Sequence, residues 1–337
     1  MTYRIAINGF GRIGRNYLRR LTDKNLANAG LQVVAINDLY DAATLAHLLE
    51  YDSTFGRLDA PVSVEDDKLI VGGNTIATFA ERRPDALPWG DLGVDLVIEA
   101  TGKLRTRDDA ALHLKAGAGR VLISSPGKGV DATLVPGVNA DTYDPDAHLI
   151  VSAASCTTNC VAPLVKVLND AFGIESGYLT TVHAYTNDQN VLDAPHKDPR
   201  RARAAAVNII PTSTGAAKAV GLVLPELAGR LDGVALRVPV VDGSISDLTL
   251  LLGTEVTVEQ INQAVAAAAV DGPLSGIIRY TEAPLVSTDI VGDPASCVFD
   301  ARLTQAHGHL VKVFGWYDNE WGYTNRLVDL TRQMAGR

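Results

Sequence analysis

A cysteine set among hydroxyl residues, Ser155-Cys156-Thr157-Thr158-Asn159-Cys160, lies where an apolar, strand-like run gives way to a helical pattern. That junction puts Cys156 near a helix N-terminus, where unpaired N–H groups and the helix dipole favour a thiolate over a thiol. A thiolate there can attack a carbonyl carbon, and nearby backbone N–H groups can hold the oxyanion that forms. A free cysteine is just as often a buried packing residue. That plainer reading is kept for Cys160, one helical turn on, and for Cys297 in a strand-like run. His183 closes a second strand-like segment and is the residue type that holds a cysteine as thiolate and shuttles its proton. Spacing alone does not say which of the seven histidines meets Cys156.

The second chemical signal is Gly9-Phe10-Gly11-Arg12-Ile13-Gly14, directly after a strand pattern and opening a helix. Gly9 permits the tight turn, Gly11 lets the backbone approach a pyrophosphate, and Gly14 allows helix and strand to pack closely. A second strand pattern ends in Asp38, 24 residues beyond the last glycine, where an acid can accept from an adenosine ribose. Together these read as a dinucleotide site with a preference for NAD over NADP, because a 2′-phosphate would meet the Asp38 carboxylate.

The elements that must position these groups alternate at first. Strand patterns cover residues 3–8, 32–37, 95–100, 120–124 and 148–153, with helices over about 12–21 and 156–172. This is α/β grammar with a parallel sheet. After Gly177 longer strand patterns at 178–183, 234–240, 246–252, 296–300 and 310–317 dominate, with helices at 258–269 and 321–334. That is α+β grammar with a mixed or antiparallel sheet. The segment from Gln189 to Asn208 carries Lys197, Arg200, Arg201 and Arg203 without a period and reads as a long ordered loop of the functional kind.

A chain of 337 residues exceeds what one core usually supports, so two domains are expected. A net charge of −9 argues against a dedicated nucleic-acid binder. The longest stretch free of charged side chains, residues 147–165, holds too many hydroxyls, an asparagine and a proline for a lipid-facing helix. Three cysteines without metal-type spacing fit a reducing cytoplasm and suggest no metal site.

With these pieces in place the chain resembles the phosphorylating glyceraldehyde-3-phosphate dehydrogenase family. The resemblance rests on Ile7 to Arg15, Ala154 to Cys160, Ser213-Thr214-Gly215-Ala216-Ala217-Lys218-Ala219-Val220, and Trp316-Tyr317-Asp318-Asn319-Glu320-Trp321-Gly322-Tyr323. It implies a Rossmann NAD-binding domain over residues 1–155 and 318–337, a catalytic domain over 156–317, and a homotetramer with the long loop against a neighbour. It implies oxidation of glyceraldehyde 3-phosphate with NAD and inorganic phosphate, through a thiohemiacetal and thioester on Cys156, with His183 as base. Carried over by position, Thr186 and Arg237 hold the substrate's phosphate. Ser155, Thr157, Arg203, Thr214 and Gly215 hold the attacking phosphate, while Arg200 and Arg201 are left as solvated charges. On the cofactor side the resemblance adds Arg12, Ile13, Arg82, Ser124, Asn319 and Tyr323 to the glycines and Asp38. Alanine stands at 153 and 100 where the family often has asparagine and serine. The nearest alternative is erythrose-4-phosphate dehydrogenase, which generally lacks the tract found here at 213–218; an idle cofactor-binding protein is the other.

Overall fold

The computed structural model describes residues 2–22 and 30–336, so the first and last residues of the expected NAD-binding domain lie outside it. Packing divides the chain into two compact units, Met1–Leu134 with Thr142–Ala154 and Thr324–Arg337, and Val135–Asp141 with Ser155–Tyr323. The border before Cys156 falls at Ser155, and residues 135–141 and 318–323 pack with the second unit. Gly137 shows why for the former, because a Cβ there would lie 2.8 Å from both Leu274 and the Pro273 carbonyl.

The first unit runs β1 (Tyr3–Asn8), α1 (Arg12–Leu21), β2 (Leu31–Asn37), α2 (Ala42–Glu50), the short pair β3 (Tyr51–Asp52) and β4 (Gly56–Arg57), β5 (Val62–Glu65), β6 (Lys68–Val71) and β7 (Asn74–Phe79). It continues with β8 (Leu96–Glu99), α3 (Arg107–Lys115), β9 (Arg120–Ile123), β10 (Ala132–Thr133) and β11 (Ile150–Ser152). Nine of these strands form one sheet in the order β10-β11-β9-β8-β1-β2-β7-β6-β5. All neighbours from β10 to β7 are parallel, and β6 and β5 extend the edge antiparallel. Parallel strands covered on both faces read as continuous apolar runs, and Ile5, Ala6 and Ile7 of β1 are fully buried. The order reverses at β1, whose neighbours β2 and β8 lead off in opposite directions. The carboxyl ends of these three strands make the crevice where such sheets bind ligands.

Beneath that crevice lies a buried polar chain. Trp89 Nε1 donates to His113 Nδ1 at 3.0 Å, which leaves the His113 proton on Nε2, 3.1 Å from Glu99 Oε2. Asn8 donates to the same oxygen at 2.6 Å, Asn37 donates to Asn8 at 2.7 Å, and Thr101 N donates to Glu99 Oε1 at 2.9 Å. These contacts fasten the ends of β1, β2 and β8 to one another.

The second unit contains α4 (Cys156–Phe172), β12 (Ile174–Ala184), β13 (Ile210–Ser213), α5 (Ala216–Val223), β14 (Leu231–Val238), β15 (Ser244–Leu252) and α6 (Val258–Val270). It goes on with β16 (Ile278–Thr281), α7 (Ser287–Ile290), β17 (Cys297–Asp300), β18 (Gln305–His307), β19 (Leu310–Tyr317) and the start of α8 (Trp321–Met334). Its eight-stranded sheet has the order β13-β14-β12-β15-β19-β17-β16, with β18 beside β19. The pairings are mixed, parallel for β12 with β14 and antiparallel for β12 with β15 and β15 with β19. β12 begins at Ile174, ahead of the expected Tyr178. Gly177 does not break it: a Cβ there would sit 2.5 Å from Leu250 and 2.8 Å from the Thr249 carbonyl, so glycine is what lets the strands close up. No helix of the described residues is long and apolar enough to cross a membrane.

Candidate active site

α4 begins at Cys156, with Ser155 as N-cap, its hydroxyl accepting from Thr158 N at 3.0 Å. The preceding Ala154 is held at φ 56, a left-handed conformation that costs a non-glycine residue about 1–2 kcal/mol. That sharp entry brings Cys156 out of the extended chain at the first helical position. Its Sγ lies 3.4 Å from Nε2 of His183, the penultimate residue of β12. Spacing left this meeting open; the fold makes it.

The other ring nitrogen of His183 lies 2.7 Å from the Ala184 carbonyl. Arg237 NH1 reaches that carbonyl at 2.9 Å and the ring nitrogen at 2.8 Å. The guanidinium has no lone pair to offer, so the carbonyl takes both protons and Nε2 keeps a lone pair toward the sulfur. Burial, then the Arg237 charge, pushes His183 down to about 3. Burial pushes the Cys156 thiol up, opposed by Arg237 and by hydrogen bonds from the Thr157 side chain and N–H. Burial thus disfavours charge on both members of the pair, and Arg237 is the permanent cation beside them.

Arg237 Nε is buried without a hydrogen-bond partner among the described residues, an unmet donor suited to an anion. Thr186 is half-buried just past the end of β12. Ser155 and Thr157 flank the cysteine, and the Thr157 hydroxyl that faces the sulfur also meets Tyr317 at 2.9 Å. Thr214 and Gly215 open α5, and Gly215, its N-cap, has open space where a Cβ would be. Arg203 is paired with Asp193 at 2.9 Å and remains largely exposed. Arg201 overturns its reading as a solvated charge. Its side chain is 20% exposed, donates to Thr212 at 2.9 Å, pairs with Asp188, and lowers the pKa of His183 through space. Only the folded loop distinguishes it from its neighbour Arg200, which is exposed.

The glycine loop fits a dinucleotide pyrophosphate position by position. Gly9 has φ +91, and a Cβ there would lie 2.6 Å from Thr101 N. A Cβ on Gly14 would collide with the Gly9 carbonyl, whereas one on Gly11 would meet nothing within 4 Å. Gly11 is thus the open floor, and as N-cap of α1 it brings no side-chain cap to compete with a phosphate. Ile13 is half-buried in the first turn, and Arg12 pairs with Asp52. Asp38, just past β2, accepts from Phe10 N at 2.7 Å, which ties it to the loop. Ser124 follows β9 with its N–H on the Glu99 carbonyl at 2.9 Å, and Arg82 is exposed on the loop after β7.

In the second unit Asn319 is nearly buried, and its Oδ1 accepts from Ser244 Oγ at 2.6 Å, while Ser244 Oγ accepts from Ala184 N at 3.0 Å. This relay fixes the amide so that its NH₂ faces away as a donor. Tyr323 is buried. Tyr317, unremarked in the sequence, bonds Thr157 and Thr181 and stacks edge-on to His183 at 5.9 Å. Among the described residues no cluster of three or more His, Cys, Asp or Glu is placed to hold a metal ion.

Residues 3–107 match the family described as glyceraldehyde 3-phosphate dehydrogenase, NAD binding domain, and residues 155–319 match its C-terminal domain. Glyceraldehyde-3-phosphate dehydrogenase of Streptomyces coelicolor is 60% identical over 98% of both chains. Its namesake from Geobacillus stearothermophilus is 57% identical over 100% of this chain and 99% of its own. That of Mycolicibacterium smegmatis is 58% identical over 98% of each. A thiol and an imidazole brought together beside a buried guanidinium, a glycine-rich dinucleotide-type loop, and this likeness from end to end agree: the chain belongs to the glyceraldehyde-3-phosphate dehydrogenase family.

Proposed function

We propose that the chain oxidises D-glyceraldehyde 3-phosphate with NAD and inorganic phosphate to 1,3-bisphosphoglycerate. The observation that carries this is the 3.4 Å approach of Cys156 Sγ to His183 Nε2, with Arg237 behind the ring. His183 Nε2 takes the thiol proton as Sγ attacks the aldehyde carbon, and the imidazolium returns it to the oxyanion, giving a thiohemiacetal. Bound NAD supplies the hydride acceptor. His183 takes the hydroxyl proton as the hydride leaves, so a thioester remains on Cys156. A phosphate oxygen then attacks the thioester carbon, Sγ leaves as thiolate, and His183 reprotonates it.

Arg237 and Thr186 hold the substrate's phosphate. Ser155, Thr157, Arg203, Thr214 and Gly215 hold the attacking one, Arg203 by exchanging Asp193 for phosphate. Gly9, Gly11, Arg12, Ile13, Gly14, Asp38, Arg82 and Ser124 hold NAD, with the carboxamide on Asn319 beside Tyr323. The protein works as a homotetramer in the cytoplasm. Val191, Leu192, Val207 and Ile209 support that assembly, since each is at least 67% exposed on or beside the long loop, an apolar strip that fits a neighbouring subunit. NADH formation from glyceraldehyde 3-phosphate, with phosphate present and omitted, tests the reaction. Sustained turnover that ignores phosphate would refute the thioester route, and a mass of one chain by light scattering would refute the tetramer.

A further inference from the structure

Two carboxyl side chains outside the steps above meet in the interior of the second unit. Asp242, in the turn between β14 and β15, is 2% exposed, and Asp318, between β19 and α8, is 1% exposed. Asp318 is supplied as an anion would be: Oδ1 accepts from Glu320 N at 2.9 Å and Trp321 N at 2.6 Å, and Oδ2 accepts from Gly292 N at 2.7 Å. Asp242 is not. Its Oδ1 accepts from Gly243 N at 2.8 Å, but its buried Oδ2 has no hydrogen-bond partner among the described residues, and the pairing of β15 with β19 at Ser244 and Tyr317 sets it beside Asp318. Two carboxyl groups can share a hydrogen bond only if one carries a proton. Asp318 already has three donors, so the proton belongs on Asp242.

The same short segment reaches Asn319 twice. Asp242 holds the backbone turn through Asp318, and Ser244 holds the amide oxygen. Gly243 between them, at φ +83, has no room for a Cβ against the Ser287 carbonyl, so the segment has one placement. We propose that Asp242 is a neutral carboxylic acid that donates to Asp318 and so positions Asn319 to receive the nicotinamide carboxamide. This rests on the reading of Asn319 as the carboxamide contact. Burial first, then the Asp318 charge, pushes Asp242 up to about 9, and Glu320 adds to the rise. Cys156 is a further titratable neighbour, and ionised Asp242 would raise it further.

The test is NAD binding, followed by quenching of tryptophan fluorescence from about pH 6 to about pH 10, with thermal unfolding of the cofactor-free tetramer over the same range. In the parent, NAD affinity should weaken at least severalfold above about pH 9, as Asp242 loses its proton. Asp242→Asn keeps a neutral donor toward Asp318 and should bind NAD within about threefold of the parent at neutral pH, without the alkaline weakening. Asp242→Ala should bind about tenfold more weakly at every pH. A raised pKa also means stability that is lost as pH climbs from the ordinary 3.8 to about 9; Asp242→Asn should flatten that loss. An Asn variant as poor as the Ala variant, or one with the parent's alkaline limb and stability slope, overturns the neutral acid. An Ala variant that binds like the parent overturns the positioning role. Asn319→Ala binding NAD like the parent overturns the carboxamide reading alone, because the stability slopes still report on the acid pair.

Discussion

Replacing Arg237 by glutamine should leave Cys156 harder to ionise, by an amount the geometry bounds. Arg237 NH1 is 2.8 Å from one ring nitrogen of His183, and the other ring nitrogen is 3.4 Å from Sγ. With the width of the imidazole between them, cation and sulfur are at most about 8 Å apart. At an effective dielectric of about 20 the attraction for a thiolate is then about 2 kcal/mol. Its loss corresponds to a rise of about 1.5 pH units, or about thirtyfold less thiolate at a given pH. His183 does not compensate, because burial, the larger cause of its shift, remains and keeps it neutral at pH 7. The assay is the rate of iodoacetamide alkylation of Cys156 against pH, with thiolate absorbance as a second reading. An alkylation profile that is unchanged, or shifted to lower pH, would refute the assignment of Arg237 as the cation of the pair.

Cys156→Ser should retain NAD binding and lose nearly all turnover, since a serine hydroxyl is scarcely ionised at neutral pH. Cys160→Ser, whose sulfur packs 3.6 Å from the Gly315 carbonyl, should leave turnover near the parent's; steady-state rates of the two variants decide it. NADP should be used less well than NAD. A 2′-phosphate about 4 Å from the Asp38 carboxylate costs about 1–4 kcal/mol, or about tenfold to a thousandfold in kcat/KM, and near-equal values would rule this out. His183 carries a depressed pKa, so its contribution to stability is present above 6.5 and lost as pH falls toward about 3. Thermal unfolding of His183→Gln should fall less steeply with acid than the parent's, and parallel curves would mean His183 titrates alike folded and unfolded.

What could be read in the chain beforehand was whatever is written locally. The bounds of α1 and α4 and the three separate duties of Gly9, Gly11 and Gly14 depend on neighbours a few residues away. The antiparallel edge β5-β6-β7 was not legible. Its strands are short and polar on one face, and its hairpin turns through Asp66 and Asp67 at φ 48 and 56, a conformation usually signalled by Asn-Gly. Long-range partnerships were equally silent. Arg201 and Arg200 are adjacent in a loop without periodicity, and only the fold half-buries one and exposes the other. Asp242 and Asp318 read as two ordinary acids until β15 and β19 pair. The balance of charge at Cys156 is set by the fold in the same way. The helix terminus is visible in sequence, whereas the burial that opposes it belongs to the folded unit.

The chain of Trp89, His113, Glu99, Asn8 and Asn37 bears on how this protein can evolve. Each member answers a polar group on the next, in an interior where an unanswered charge costs about 3–5 kcal/mol and an unanswered neutral group about 1–3. A leucine at His113 would strand both the Trp89 N–H and the Glu99 carboxylate, and an aspartate at Asn8 would set a second anion against Glu99. Single steps away from this set therefore use up much of the 5–15 kcal/mol by which a domain is stable, although the same positions filled together with apolar residues could pack as well. These five residues are bound by epistasis: lineages can drift freely around them, while the set itself changes only by passing through forms that barely fold.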